Sequence, residues 1–415
     1  MVVSMITFVS PLLGLIMILS YIFKNWKSTE YKNLKKFVFP LAFIFAVFGY
    51  SMAFGVRETD LTRYYQMVNF MKTDSLRSVL LSDADFLYTK DILFYFVSRT
   101  NNVNILAFLV GLIIYSIVFY VLFDMVENSD KRFKIYEIFM LGIISVGIIS
   151  PYSIIGNVRC ILAYSTISFA TYRDLVQKKR NIFTLILYII PIGLHTSAII
   201  IIVIRILSQL LRKFNKLAIV VTITLPKIID LVHDKLGHIG FGAIGQLITN
   251  AINKAYSYLH WTEGGWATKI ESSISNKFFR FAGAMFLIAI IFSIFIYNYG
   301  KDNRGNRTAK YPMINYLYFI AIFALGTLSI KTGAFWRFES IVVLFSPIIF
   351  VKILESNDNF NQFFNIFSVF GLILFFINII YEFRNIDTLQ TIINFISTSG
   401  IKILYDLVVG IVNII

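Results

Sequence analysis

Long apolar stretches, each followed by a short polar or basic segment, recur along the whole chain. A helix needs about twenty residues to cross the hydrocarbon core of a bilayer. We predict spans at 2–23, 37–56, 103–123, 135–153, 159–175, 217–232, 278–299, 311–330, 337–353 and 360–382. The pattern therefore predicts an all-α, polytopic integral membrane protein with about 10–12 transmembrane helices.

Basic residues concentrate in five of the short connecting segments. These are residues 24–36, 131–134, 173–180, 205–216 and 301–310. Because Lys and Arg accumulate in cytoplasmic loops, we place all five on the cytoplasmic side. The alternation of spans then leaves two long loops, about 57–102 and 233–277, on the extracytoplasmic side.

Residues 182–207 are long enough to cross the membrane once, yet basic loops flank both ends. Pro191 removes a helical hydrogen bond and Gly193 frees the backbone, so the helix can break between them. We predict a broken helix near 190–196. We favour two half-helices that enter the membrane and return to the cytoplasm. The alternative is one extra crossing of the membrane that is compensated elsewhere in the topology.

Both extracytoplasmic loops contain segments with the periodicity of an amphipathic helix. Around 244–259, apolar residues share one face and polar residues the other, which is typical of a helix at the membrane interface. The first loop carries a shorter stripe of Leu61, Tyr64, Tyr65, Val68 and Met71. Residues 391–415 fit either an interfacial helix or a final span.

The composition agrees with a membrane protein and argues against a soluble one. The chain has 415 residues, 57% hydrophobic and 15% charged, and its mean hydropathy is +0.74. Soluble domains carry about 25% charged residues. No polar region is long enough to fold separately, so we predict a single polytopic domain over 1–415. The net charge of +15 is explained by loops that set topology, and we expect no nucleic-acid partner.

Several kinds of site have no signature in the sequence. Cys160 is the single cysteine, and no Cys/His spacing typical of zinc occurs. No Gly-rich nucleotide loop, nucleophile elbow or Asp-rich magnesium motif is present. We therefore expect no metal and no cofactor. An enzyme of this kind would use a substrate that is already activated and carried by a lipid.

Three arginines from distant parts of the chain fall at the outer ends of predicted spans: Arg57, Arg159 and Arg337. A charge at the centre of a span is costly, about 2.5–3.5 kcal/mol, so such residues call for a reason. Each arginine could reach the interface by itself or pair with Asp60 or Glu339. As a set they favour a lipid-linked diphosphate, since the arginine fork binds phosphate in a bidentate way.

At these residues the chain resembles the EpsG-like and Wzy-type polysaccharide polymerases, which build bacterial O-antigen, capsule and exopolysaccharide. The similar features are Arg57-x-x-Asp60-x-x-Arg63-Tyr64, Asn157-x-Arg159-x-x-x-Ala163, Leu194-His195-Thr196-Ser197-Ala198 after a loop with Lys178 and Lys179, and Trp336-Arg337-Phe338. The likeness covers residues 50 to about 340. Family members often have Gly where Glu58 or Thr59 stands here.

The resemblance implies glycosyl transfer at the outer face of the bacterial cytoplasmic (inner) membrane. A growing glycan on undecaprenyl diphosphate would move onto a new lipid-linked repeat unit. A flippase and a chain-length regulator are the implied protein partners. An O-antigen ligase, a flippase or other transporter of lipid-linked oligosaccharide, and a membrane O-acetyltransferase are the alternatives.

The resemblance also suggests a role for each candidate residue. The diphosphates would be bound by Arg57, Arg63, Arg159 and Arg337. The base that accepts the proton of the attacking hydroxyl would be Asp60 first, then His195, then Glu339. Sugar rings would stack on Tyr64, Tyr65 and Trp336.

Overall fold

The structure is a computed structural model. It describes residues 2–31, 33–52, 60–82, 87–100, 102–210, 215–236, 274–299, 311–328, 334–356, 360–383 and 387–412, and five isolated residues at 245, 249, 252, 253 and 256. Every regular element in these ranges is helical, as the apolar pattern predicts. Residue contacts divide the chain into two compact units, Met1–Ser165 with Ser346–Ile415, and Thr166–Phe345. The single domain over 1–415 stays a prediction.

The helices follow the predicted spans closely. In chain order they are α1 (Val2–Val9), α2 (Pro11–Lys24), α3 (Val38–Ser51), α4 (Asp60–Phe70), α5 (Leu76–Ser82), α6 (Tyr88–Ser98), α7 (Ile105–Glu127), α8 (Ile135–Gly147), α9 (Pro151–Gly156), α10 (Val158–Leu175), α11 (Ile182–Ile189), α12 (Ala198–Leu210), α13 (Asn215–Leu236), α14 (Ile274–Tyr299), α15 (Pro312–Leu328), α16 (Ala334–Ser356), α17 (Phe360–Phe383), α18 (Thr388–Ser397) and α19 (Gly400–Val412).

In the first unit, α3 and α7 pack with their backbones close together. A Cβ atom on Gly111 would lie 3.1 Å from Cα of Ala46, and one on Gly49 would lie 3.0 Å from the carbonyl oxygen of Ala107. Beside these contacts Phe45 stacks on Tyr115 with 4.2 Å between ring centroids. Small residues allow this approach, which is the usual way in which membrane helices gain packing energy.

The first predicted span differs from the expectation of one continuous helix. It is divided at Ser10, whose hydroxyl accepts a hydrogen bond from the backbone N–H of Leu13, and Pro11 begins α2. Ser followed by Pro is a strong signal for a helix start, and here it outweighs the continuous apolar pattern. The side chain of Thr7 fits against Gly14, where a Cβ atom would collide with it.

The C-terminal residues form a bent pair of helices, α18 and α19, with 88° between them. A buried polar network ties this pair to α3. The Tyr50 hydroxyl donates to Oδ2 of Asp406 at 2.7 Å, and the Asn102 amide donates to the same hydroxyl at 2.9 Å. The segment that fitted either an interfacial helix or a final span is thus a broken helical element that packs against the first unit.

In the second unit, the chain breaks where Pro191 and Gly193 predict it. Helix α11 ends at Ile189, a single 3₁₀ turn covers Ile190–Gly193, and α12 begins at Ala198. The broken helix near 190–196 is therefore confirmed. Whether its two halves return to one side of the membrane stays a prediction.

A charged cluster holds the end of α10 against α12 in the second unit. Asp174 accepts a hydrogen bond from Nε of Arg180 at 2.6 Å and is also paired with Arg205. Nearby, the Asn315 amide donates to the backbone carbonyl of Ser208. One basic residue on each side of the broken helix, Arg180 and Arg205, is thus held by the same carboxylate.

Within the described residues, four helical segments are long and apolar enough to cross a membrane, or five if the bent C-terminal pair counts as one span. They are Leu34–Ser51, Ile105–Glu127, Lys277–Phe295 and Asn361–Ile380. Five shorter apolar helices accompany them, among them α2, α8 and α15. The all-α, multi-pass membrane fold is confirmed, whereas the count of 10–12 spans stays a prediction. Most of the loop 233–277, including all but five residues of the amphipathic segment 244–259, lies outside the described residues.

Candidate functional site

Arg159 lies in the first turn of α10, directly after a short helix that interrupts the apolar sequence. The Ser150 side chain caps this short helix by accepting a hydrogen bond from the backbone N–H of Ser153 at 3.1 Å. The chain turns at Asn157, and α10 starts at the next residue. Because a cap and a proline fix where the short helix begins, the position of Arg159 follows from local sequence.

Tyr64 of α4 holds the Arg159 guanidinium in place. Nε of Arg159 donates a hydrogen bond to the Tyr64 hydroxyl at 2.9 Å, and the guanidinium carbon lies 5.0 Å from the centroid of the same ring. The Tyr64 ring in turn packs on Phe94 of α6, with 5.4 Å between centroids. A cation–π contact of this kind contributes about 0.5–2 kcal/mol, and the hydrogen bond adds orientation.

Four of the five residues of the predicted stripe form the buried face of α4, whereas Met71 follows the end of α4 in a 3₁₀ turn and is not buried. Leu61, Tyr64, Tyr65 and Val68 are buried, while Arg63 points outward. Tyr64 was predicted to contact sugar, and the structure shows it as a support for Arg159. The sugar contacts of Tyr64 and Tyr65 stay predictions.

Asp60 is the first residue of α4 and pairs with Arg63 one turn later. The Arg63 side chain is 65% exposed, so this pair contributes little to stability. Its effect is to orient the Asp60 carboxylate at the start of the helix, where the helix dipole favours a negative charge. Arg57 and Glu58 lie outside the described residues.

The sequence analysis missed a buried ion pair in the same unit. Nζ of Lys90 lies 3.1 Å from Oδ1 of Asp91, and their side chains are only 8% and 3% exposed. Both residues belong to α6, the helix that supports Tyr64. Two adjacent charges at the start of an otherwise apolar helix were visible in the sequence. The amphipathic stripe predicted in the loop 57–102 ends at Met71, so the sequence pattern predicts no helix at these two charges.

His195 lies in the second unit, at the break between α11 and α12, and is buried. The backbone N–H of Ser197 donates to Nδ1 of His195 at 3.3 Å, and the Ser197 hydroxyl contacts the same atom. A backbone N–H can only donate, so Nδ1 is an acceptor and the proton of the neutral ring is on Nε2. The neutral His195 ring can therefore donate a hydrogen bond through Nε2.

Glu339 of α16 is also in the second unit, and its carboxylate packs against the backbone of α14. A Cβ atom on Gly283 would collide with Oε1 of Glu339, so the carboxylate keeps this position only beside a glycine. Glu339 is 1% exposed, and its Oε2 atom has no hydrogen-bond partner among the described residues. Such an atom is unfavourable in the apolar interior, which suggests a partner or substrate group that completes it. Trp336 and Arg337, one turn earlier, are half-buried.

Five predicted site residues thus lie in the first unit. Asp60 pairs with Arg63, Arg159 donates to Tyr64, and Tyr65 is buried next to Tyr64 on α4. Of the other five predicted residues, Arg57 lies outside the described residues, and the second unit contains His195, Trp336, Arg337 and Glu339. Their roles as base, diphosphate ligand or sugar contact stay predictions.

Comparison with known proteins then gives the family. The profile of the EpsG family matches residues 36–397, which is most of the chain. The chain belongs to the EpsG family. It is therefore a polysaccharide polymerase-like membrane protein, as the resemblance in its sequence implied. No curated protein and no solved structure matches the chain. In this EpsG family member, every candidate site residue lies within the matched range, while α1, α2 and α19 lie outside it.

The contact between Tyr64 and Arg159 can be tested by removing the phenol hydroxyl alone. In a Tyr64→Phe variant the ring stays under the guanidinium but the hydrogen bond is lost. We expect the rate of polysaccharide formation to fall about tenfold, since a hydrogen bond to a charged group contributes about 1.5–3 kcal/mol. Tyr64→Leu should lose more, because the cation–π contact is removed as well.

The rate is measured with membranes of a deletion strain that carries each variant at equal abundance. Tyr405→Phe, at an exposed tyrosine of α19, is the matched control and should leave the rate unchanged. A Tyr64→Phe protein with the wild-type rate would show that the hydrogen bond does not position Arg159.

The contact between Gly283 and Glu339 can be tested by a double-mutant cycle. Gly283→Ala forces the Glu339 carboxylate to move, and we expect it to destabilise the protein by about 1–3 kcal/mol, as overpacking does. In a Glu339→Ala background the side chain that collides is absent. The same Gly283→Ala change should then cost little. Thermal unfolding of the detergent-solubilised proteins gives the four values, and equal effects in both backgrounds would contradict the contact.

Proposed function

We propose that this chain is a polysaccharide polymerase that moves a growing glycan from undecaprenyl diphosphate onto a new lipid-linked repeat unit. The reaction would take place at the outer face of the bacterial cytoplasmic membrane. The observation that carries the proposal is the supported guanidinium of Arg159, in a chain whose family is polymerase-like.

The reaction has a simple balance of atoms. The terminal hydroxyl of the acceptor repeat attacks the anomeric carbon of the donor, and the bond from that carbon to the diphosphate oxygen breaks. A base takes the proton of the hydroxyl, and undecaprenyl diphosphate leaves with a negative charge that grows during the step. Donors fixed in advance near such a charge often contribute several kcal/mol, or about 10²–10³ in rate.

Arg159 is well suited to bind the leaving diphosphate. Its charge does not depend on pH, and its orientation is set by Tyr64 before substrate binds. A guanidinium that is already oriented loses less entropy when it binds, so more of the interaction energy reaches the transition state. Arg57 and Arg337 are proposed as further diphosphate ligands, and Arg63 as a residue that positions Asp60.

Asp60 is the proposed base. Its carboxylate lies at the start of α4, and Tyr64, which holds Arg159, follows one turn later on the same helix. His195 is a poorer base because its Nδ1 atom already accepts from Ser197. It can instead donate from Nε2 to an oxygen of the substrate. Glu339 stays a third candidate, on account of its buried oxygen without a partner among the described residues.

An O-antigen ligase is the second candidate function, because it would use the same donor and need the same arginines. A flippase for the lipid-linked repeat is the third. The family match favours the polymerase.

The proposal is tested by chromosomal deletion followed by complementation in the native host. Polymerase loss leaves the surface carrier with a single repeat unit or abolishes the capsule. Loss of a ligase leaves bare core with polymer still on the lipid, and loss of a flippase leaves no surface sugar. Either of these two results would contradict the proposed function.

Complementation with Arg159→Ala and Arg337→Ala tests the site itself. We expect Arg159→Ala to shorten or abolish the polymer, because it removes an oriented charge from the leaving diphosphate. Arg337→Ala tests the diphosphate ligand that was predicted in the second unit by itself, and we expect the same loss of polymer. Arg77→Ala, at an exposed arginine of α5, removes the same charge and should restore normal chain length. Normal polymer from both Arg159→Ala and Arg337→Ala, in proteins shown to insert, would rule out the diphosphate assignment.

A further inference from the structure

The buried pair of Lys90 and Asp91 is not used by the proposed reaction. Its two side chains are 8% and 3% exposed, in a chain with few charges. A buried ion pair often adds no stability over an apolar pair of the same size. A structural role alone is therefore a weak reason for its presence, and its surroundings decide what it can do.

The pair shares a face of α6 with the residue that supports Tyr64. Lys90, Asp91, Phe94 and Val97 form the buried stripe of this helix, with the spacing of one helical face. Phe94 lies on the Tyr64 ring, and Tyr64 holds Arg159. Lys90 and Asp91 therefore point to the same side of α6 as the Arg159 support, one turn earlier along the helix.

The relative direction of α4 and α6 shows which part of α4 they face. At the end of α6, the Arg99 guanidinium donates to the backbone carbonyl of Lys72 at 2.6 Å and also to that of Asp74. Lys72 and Asp74 follow the last residue of α4. The two helices thus have their C-terminal ends together and run in the same direction. Lys90 and Asp91 consequently lie at the level of the first turn of α4, which begins with Asp60.

We propose that Lys90 is a further ligand of the substrate diphosphate and that Asp91 is a positioning residue for its ammonium group. The inference rests on the proposed function. A lysine ammonium is a compact charge that binds phosphate, and Asp91 fixes it in the same way that Tyr64 fixes Arg159. Helices α4 and α6 would then carry the candidate base Asp60 and the supported ammonium of Lys90, and Tyr64 of α4 would hold the second supported cation, Arg159 of α10, toward the same diphosphate-linked sugar.

The test measures binding of radiolabelled farnesyl diphosphate to the full chain in phosphatidylcholine nanodiscs. The main variant is Lys90→Met/Asp91→Leu, which removes both charges together and leaves neither unpaired. We expect it to keep the wild-type melting temperature and to weaken binding about tenfold or more. Lys90→Arg should keep most of the affinity. Lys72→Met/Asp74→Asn, a pair of exposed residues close to the end of α4, removes the same charges and should bind as wild type.

Two results separate this inference from the proposed function. Wild-type affinity of the doubly neutral variant, together with weakened binding by Arg159→Ala, would overturn the role of Lys90 and leave the proposed function standing. Wild-type affinity of Arg159→Ala would contradict the proposed diphosphate site itself. If the neutral variant fails to insert, the exchange variant Lys90→Asp/Asp91→Lys keeps a buried pair and decides the matter. Lost binding supports the inference, and retained binding overturns it.

Discussion

A charge in so apolar a chain needs a fixed partner. The contact between Arg159 and Tyr64 shows how this protein meets that constraint. Away from water, a guanidinium without partners loses its hydration and gains nothing in return. Tyr64 supplies both a hydroxyl acceptor and an aromatic face. The same constraint explains why α6 packs on α4, because Phe94 fixes the ring that fixes the arginine.

Other charged or polar groups in the described part of the chain follow the same rule in different ways. Asp406 is held by Tyr50, and Asp174 is held by Arg180 and Arg205. These contacts give each carboxylate at least one partner and join helices of the fold. Glu339 differs, since the backbone at Gly283 makes room for its carboxylate without supplying a partner for Oε2 among the described residues. The contrast is the reason why Glu339, unlike Asp406 and Asp174, is kept among the proposed site residues.

The sequence predicted those features that depend on local patterns. Pro191 and Gly193 placed the helix break correctly, because a missing N–H acts over only one turn. The buried stripe of α4 followed from helical periodicity. The hydrogen bond between Arg159 and Tyr64 joins residues 95 positions apart, and a pattern among neighbouring residues does not predict such a contact. The burial of Lys90 was missed because the amphipathic pattern predicted in the loop 57–102 does not extend to α6. The family match, in turn, confirms the resemblance that the short motifs suggested.

The central claim is that a diphosphate held by fixed cations is the leaving group of a polymerisation. Its most direct measurement uses the purified protein in nanodiscs with a defined undecaprenyl-diphosphate-linked repeat unit as donor and acceptor. Glycosidic bonds are counted by mass spectrometry, and free undecaprenyl diphosphate is counted in the same sample. The account predicts a ladder of lengthening glycans, one undecaprenyl diphosphate released for each bond, and the loss of both with Arg159→Ala. Unchanged repeat units with no diphosphate released would contradict it.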